Sequence, residues 1–534
     1  MDSTNKKWVI IMPIILALVL IIGILLGSKL QNNNYDKKFF IHPEPNKFNT
    51  ILNYIEEEYV DSVSKSELVE KIIPDMLAEL DPHSIYIPAR DLKRTNEPLE
   101  GNFDGIGIQF NIQRDTVFVV NPIPKGPSEK VGILAGDRIV YVDDSLIAGT
   151  GITNNSVMKM LRGKQGTKVK LGIKRKQNKE VINFVVTRDK IPLYSVDVAY
   201  MVSEDIGYIK ISKFSRTTFD EFISAIEELQ SAGLKKLILD LRNNSGGYMN
   251  AAINIADQFL NSNKLIVYTQ GKARPKNKSF STSSGLCLNT ELTILIDEFS
   301  ASASEILAGA IQDNDRGTII GRRSYGKGLV QEQTIFHDGS ALRLTIARYY
   351  TPTGRCIQKS YENGNSDYYH DINNRYDNGE FSQADSIQLP DSLKYYTPKG
   401  KVVYGGGGIM PDNFVSMDTI RLSPYFTKLI NKGLMYQFAF KYVDDNRHVL
   451  SELSGLSDLI FHLEKENIFQ IFLAFAKEKS VSGTKKDIKM SEKLINTRIS
   501  AFIARNIFND IGFYPIINEE DKTVLKAVEI LKAE

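Results

Sequence analysis

Residues 236–260 read KLILDLRNNSGGYMNAAINIADQFL, and this stretch decides the architecture. Lys236 to Leu241 is a near-continuous apolar run, as expected of a strand covered on both faces. Asn243-Asn244-Ser245-Gly246-Gly247 is a turn, and Ala251 to Leu260 returns to helical spacing. The same alternation continues outward on both sides. Upstream, GYIKI (Gly207 to Ile211) predicts a strand. Thr218 with Glu221 predicts a capping box, followed by Phe219, Phe222, Ile223, Ile226 and Leu229 on one helical face and Gly233 as the stop. Downstream, LTILI (Leu292 to Ile296) predicts a second buried strand and Ala303 to Gln312 a helix. Strand and helix in turn give an α/β layer architecture, in which strand-to-helix loops carry sites.

One such loop opens the segment Asp297 to Gln331, DEFSASASEILAGAIQDNDRGTIIGRRSYGKGLVQ. Three serines stand at the head of the predicted helix, and the segment returns to a glycine-bracketed lysine, Gly326-Lys327-Gly328. A serine in that position has free backbone N–H groups and the positive end of a helix beside it, features that favour an oxyanion. No histidine lies near in sequence to act as its base. A lysine can do so when burial disfavours its charged form. The same residues also admit a plain structural account: Ser302-x-x-Glu305 is a good capping box, and Lys327 fits a solvated loop. Other Ser-x-x-Lys strings, Ser62 to Lys65 and Ser482 to Lys485, lack the companion motifs of penicillin-binding enzymes.

The flanking regions differ in pattern. Residues 101–188 carry short β-rich runs punctuated by glycines, in the order strand, strand, short helix, strand, helix, strand, strand. From Phe48 to Leu80 the apolar positions have helical spacing and end at the Asp81-Pro82-His83-Ser84 stretch, read as a helix stop and turn, with a ligand role for His83 as the alternative. Residues 358–400 are polar, without strand or helix period, and read as a surface insertion. Within it DINNRYDNGE only superficially resembles a calcium loop, because Arg375 falls where an oxygen ligand is needed. Residues 425–534 are helical and amphipathic. Trp8 to Gly27 is an uncharged apolar run, long enough at about 1.5 Å per residue to span a bilayer core, and predicts an uncleaved transmembrane anchor. The lysines on its two sides leave the orientation open.

Composition narrows the function classes. With 66 Lys and Arg against 64 Asp and Glu, a net charge of +2, the chain is not a globally basic nucleic-acid binder. Two cysteines, Cys287 and Cys356, make no disulfide scaffold and are read as separate thiols. The six scattered histidines contain no HExxH. No metal is expected.

Nine stretches in order give the pattern a family resemblance: LDPHS (Leu80 to Ser84), GIGIQF (Gly105 to Phe110), GILAGDRI (Gly132 to Ile139), LRGKQGT (Leu161 to Thr167), DLRNNSGG (Asp240 to Gly247), SASASE (Ser300 to Glu305), GKGLVQ (Gly326 to Gln331), YYTPTGR (Tyr349 to Arg355) and GGGGIMPD (Gly405 to Asp412). Over about residues 45–420 the chain resembles the carboxyl-terminal processing (tail-specific) serine peptidases. The resemblance implies an α/β protease core with crotonase-like βαβ layers, an inserted β-rich PDZ domain, and helical N- and C-terminal regions. The implied division is a membrane anchor at 1–28, a stalk and helical region at 29–100, a PDZ domain at 101–188, a Ser-Lys peptidase core at 189–424 containing the 358–400 insertion, and a helical region at 425–534.

Residue by residue, the family pattern implies Ser302 as nucleophile, Lys327 as general base and Gln331 as the residue that orients the lysine. It implies the Ala303 N–H as one oxyanion donor and the NNSGG turn as the other, with Gly247 favoured and Gly246 still open. Gly105-Ile106-Gly107-Ile108 corresponds to the PDZ loop that receives a chain end, and Arg162 is a candidate for coupling that domain to the core. No cofactor is implied. The implied partners are the C-terminal tails of protein substrates and a membrane, with no nucleic acid, and the helical ends are candidates for self-association. The implied location is the inner membrane with the catalytic part periplasmic. The rival reading is an inactive membrane-anchored PDZ scaffold that binds chain ends without cutting them.

Overall fold

A computed structural model describes residues 4–30, 47–176, 178, 180–387, 390–417 and 423–533. The stalk expected at residues 31–46 lies outside them. The chain divides into two compact units, Met1–Ile73 and Pro74–Glu534. The first contains the helices Thr4–Leu30 and Lys47–Glu58. The expected anchor falls on Thr4–Leu30, a 27-residue helix whose described side chains, residues 12–13 and 15–26, are exposed. Among the described residues no helix is long and apolar enough to cross a membrane.

The second unit is built on a six-stranded sheet in the order Val196–Met201, Ile206–Ile211, Lys236–Asp240, Glu291–Ile296, Thr318–Gly321, Asn413–Phe414. Its first pair is antiparallel and the rest are parallel. Leu237, Ile238 and Leu239 run without polar alternation because successive residues serve two cores, as the two-residue period of a strand requires. Leu237, Leu239, Ile294 and Ile319 pack with helices Thr218–Ser231, Met249–Asp257 and Ala303–Asp313. Their neighbours Ile238, Leu295 and Ile320 pack instead against Val524, Ala527 and Leu531 of the last helix, Lys522–Ala533.

A second sheet joins Ile85–Ile87, Ala341–Tyr350, Leu265–Gln270 and Asn277–Phe280, with Leu329–Ile335 paired to Ala341–Tyr350. The hairpin register sets Gln331 opposite Thr345. The β-rich module has the sheet order Ile108–Gln113, Thr116–Pro122, Arg138–Val142, Lys168–Lys174, Val181–Thr187, with helix Asn154–Leu161 in the expected place. Asn102–Gly105 and Asp189–Pro192 pair where the chain enters and leaves it. The helices of residues 425–518 form a core of their own around Phe426, Phe438, Phe472 and Ile499.

Two expectations are corrected. The insertion is not without regular structure: Asn365–Asp377 is a 13-residue helix, and Lys394–Tyr396 pairs with Val402–Tyr404. The helix buries only Tyr368 and Arg375, too narrow a stripe to register as a helical period. Arg375 is tied to Glu380 rather than standing in a cation loop. The capping box of the Phe219 helix is also displaced. Thr217 precedes the helix and donates to Glu221 Oε1 at 2.6 Å, while Glu221 Oε2 accepts the N–H groups of Ser195 and Val196.

Candidate active site

Strand Lys236–Asp240 and strand Glu291–Ile296 are neighbours, so the turns that follow them lie side by side. Buried polar groups lock the two turns together. Asp297 Oδ1 accepts the N–H of Asn243 at 3.0 Å, and the Ala301 N–H donates to the Asn244 carbonyl at 3.0 Å. The outer serines of SASAS are consumed in this joint: Ser300 Oγ donates to the Leu241 carbonyl at 2.9 Å and Ser304 Oγ to the Asn244 carbonyl at 2.8 Å. Ser302 is the one left at the cavity. It has φ 55° and ψ −111°, a conformation a non-glycine residue adopts only when its surroundings enforce it.

Glu305 supplies that enforcement. Its side chain is 1 % exposed, and Oε2 accepts the backbone N–H of both Ser302 at 2.8 Å and Lys327 at 2.9 Å. Oε1 accepts Gly326 N–H at 2.7 Å and the Ser324 hydroxyl at 2.5 Å. One carboxylate therefore ties the serine turn to the lysine turn. Burial pushes its pKa up to about 7, against the opposing pull of those donors. The Tyr349 hydroxyl adds a second link, lying 2.5 Å from the Lys327 carbonyl and 3.0 Å from that of Ser302. Sequence reasoning assigned neither residue this part. The signal lay in the Glu of SASASE, read as a helix cap, and in the YYTPTGR motif.

Ser302, Lys327, Gln331, Gly247 and Tyr349 line one cavity of about 760 Å³. Burial, and then the nearby Arg343 charge, lower the pKa of Lys327 below its ordinary value. Its Nζ donates to Gln331 Oε1 at 3.0 Å, and Gln331 Nε2 donates to the His83 carbonyl. Among the described residues no hydrogen bond joins Lys327 Nζ to Ser302 Oγ. The glycine turn packs against Ser302: a Cβ on Gly246 would stand 2.7 Å from the Ser302 Cβ, and one on Gly247 only 2.0 Å from the Phe214 carbonyl oxygen. The Gly246 N–H is taken by Asn244 Oδ1 at 2.9 Å. The N–H groups of Gly247 and Ala303 make no hydrogen bond among the described residues.

The expected chain-end loop lies elsewhere and lines no wall of this cavity. Ile106 and Gly107 are buried, with their carbonyls accepting from Ser128 and Ile123. Ile108 opens an edge strand whose second side pairs with no strand among the described residues, the arrangement that strand addition uses. Arg162 pairs with Glu97 at 2.5 Å and stacks over Phe103, so it joins the module to the helix Ala89–Glu100 that precedes it. Cys287 and Cys356 are both free.

Comparison with known proteins agrees with this arrangement. Peptidase family S41 matches residues 205–364, a PDZ domain matches 105–186, and a family of unknown function matches 425–509. A carboxy-terminal-processing protease of Bartonella bacilliformis is 39 % identical over 317 residues, covering 58 % of this chain and 72 % of the relative. The carboxy-terminal processing proteases CtpB and CtpA of Bacillus subtilis are each 33 % identical, over 308 and 336 residues. These cover 57 % and 63 % of this chain, and 64 % and 70 % of the relatives. With a PDZ domain followed by an S41 core along one chain, the protein belongs to the carboxy-terminal-processing serine proteases of peptidase family S41.

Proposed function

We propose that the protein is a Ser-Lys endopeptidase that captures the C-terminal tails of proteins and cleaves them at Ser302. The observation that carries this reading is a half-buried serine and a desolvated lysine on one cavity wall, their backbones held by one carboxylate. Lys327 in its neutral form takes the proton from Ser302 Oγ, which attacks the scissile carbonyl. The N–H groups of Gly247 and Ala303, uncommitted elsewhere, stabilise the oxyanion, and Gly246 serves by admitting the turn next to Ser302. The lysine returns its proton to the leaving amine, then activates the water that hydrolyses the acyl-enzyme.

For the nucleophile to pass its proton, the amine swings from its resting bond with Gln331 to within reach of Ser302 Oγ. The loop at Gly105, Ile106, Gly107 and Ile108 receives the tail carboxylate, and the edge strand Ile108–Gln113 pairs with the residues before it. The apolar run Trp8 to Gly27 anchors the enzyme in the inner membrane, and the catalytic part works outside the cytoplasm on proteins there. Self-association through the helical ends belongs to the same reading.

The test is incubation of wild type and Ser302→Ala with a peptide bearing an apolar C-terminal tail, followed by mass analysis and a binding titration. Products from wild type alone, with equal peptide binding by both, are expected. Binding without cleavage by wild type would instead identify an inactive scaffold, and normal cleavage by the variant would remove Ser302 from the mechanism.

A further inference from the structure

The hydrogen bond from Gln331 to the His83 carbonyl links the partner of Lys327 to a part of the chain far from the Ser302 and Lys327 turns. The turn carrying that carbonyl is fixed from two sides. On the core side, Asp81 Oδ1 accepts the N–H groups of His83 at 2.8 Å and Ser84 at 2.9 Å, and the Thr345 hydroxyl donates to it at 3.1 Å. Thr345 is the residue paired with Gln331 in the hairpin. On the other side stands the insertion helix Asn365–Asp377. Its Tyr368, 2 % exposed, places its hydroxyl 2.8 Å from His83 Nε2, with the rings edge to face at 5.2 Å. Tyr369 donates to the Pro82 carbonyl at 2.5 Å, and Asn365 Nδ2 to the Ala78 carbonyl at 2.8 Å. The S41 match ends at residue 364, immediately before this helix.

The chemistry of an amide makes the His83 carbonyl decisive. A carbonyl oxygen only accepts, so it selects the NH2 end of Gln331 and turns Oε1 toward Lys327. Oε1 accepts one N–H of the amine, and the lone pair of a neutral lysine stays available to the serine proton. A Gln331 free to flip also presents its NH2 to the amine, where it competes for that lone pair. Burial, and then the Lys327 charge, push the His83 pKa down to about 4, so the imidazole is neutral near pH 7 and adds no positive charge beside the base. The charged groups facing Lys327 are Arg343 on the hairpin, Asp81 in the turn and Glu305 on the helix.

We propose that His83 and Tyr368 are positioning residues of the peptidase: the insertion helix holds the His83 turn, whose carbonyl sets the Gln331 amide and through it the general base. This inference rests on the Ser302–Lys327 reading. It is tested by measuring kcat and KM of the full chain on the apolar-tailed peptide for Tyr368→Phe and His83→Phe, each in the native and the Gln331→Ala background. Tyr376→Phe, on the same helix but 61 % exposed, is the control expected to keep wild-type kinetics. Tyr368→Phe and His83→Phe are expected to lower kcat about fivefold with KM unchanged, and to have under about a twofold effect once Gln331 is absent.

Equal factors in both backgrounds would overturn the proposal, since damage to folding alone is indifferent to Gln331. So would a loss carried wholly by KM, or wild-type kcat in both variants. Should Ser302→Ala be inactive while these variants behave as wild type, the positioning role alone falls. Should Ser302→Ala cleave normally, both fall.

Discussion

The serine turn and the PDZ module are held in place by different physics. Around Ser302, the groups that fix geometry are Asn244, Asp297, Ser300, Ser304 and Glu305, all 3 % exposed or less and all hydrogen-bonded to backbone. Such groups are strongly constraining, because removing one partner leaves another buried and unpaired. The module is joined to the rest of its unit mainly by partly exposed contacts. Arg138 pairs with Asp444 at 2.9 Å, Lys176 with Asp445 at 3.0 Å and Lys93 with Asp104 at 2.6 Å, beside one edge-on pair, Phe118 with Phe440. Ion pairs of that kind contribute about 1 kcal/mol or less and weaken with salt. The contrast suits the proposed function, in which the reaction needs sub-ångström placement and the capture of a tail does not.

Removing Lys327, the base of the proposed mechanism, is the severest way to break the first of these regions. Lys327→Ala is expected to lower kcat about a thousandfold while peptide binding persists, read by steady-state kinetics and titration. In the wild type, burial lowers the pKa of Lys327, so the base form grows as pH rises. The rate therefore increases with pH, about tenfold per unit below that pKa, and levels above it. A flat profile would exclude a titrating amine.

Removing the carboxylate that ties the two turns comes next. Glu305→Ala leaves the N–H groups of Ser302, Gly326 and Lys327 and the Ser324 hydroxyl without their acceptor. A loss of about 3–5 kcal/mol in stability is expected from denaturant unfolding, together with a fall in kcat of about tenfold or more. A melting curve and rate equal to wild type would show that the joint does not depend on it.

The smallest effect belongs to the module. Arg138→Ala deletes the pair with Asp444 and the guanidinium stacked 4.6 Å from the Phe118 ring centre. The expected cost is about 1 kcal/mol, seen as faster hydrogen exchange across residues 105–186 with protection of residues 297–305 unchanged. Equal loosening of both regions would erase the comparison.

Much of this molecule was legible without coordinates. KLILDL, GYIKI and LTILI read as strands because their apolar period is local, and the glycine-punctuated runs of residues 101–188 predicted the order of the longer strands and helices, while the short strands Asn102–Gly105 and Ser145–Leu146 carried no readable period. The Asn365–Asp377 helix was missed because its two buried side chains make no readable stripe. The motifs singled out Ser302 and Lys327, which the fold brings to one cavity, but Glu305 looked like a helix cap and Asp81-Pro82-His83-Ser84 like a mere stop.

What the sequence by itself determined is whatever repeats within a few residues: strand and helix periods, turn residues, the serine at a helix start. Only the tertiary structure decided that Ile238, Leu295 and Ile320 meet the last helix, that Gly246 has its N–H occupied while Gly247 does not, and that His83 reaches Gln331 across 248 residues. Contacts of that span leave no local pattern. They arise when neighbouring strands bring distant turns together, and each bond is then made or refused by the donors and acceptors that geometry supplies.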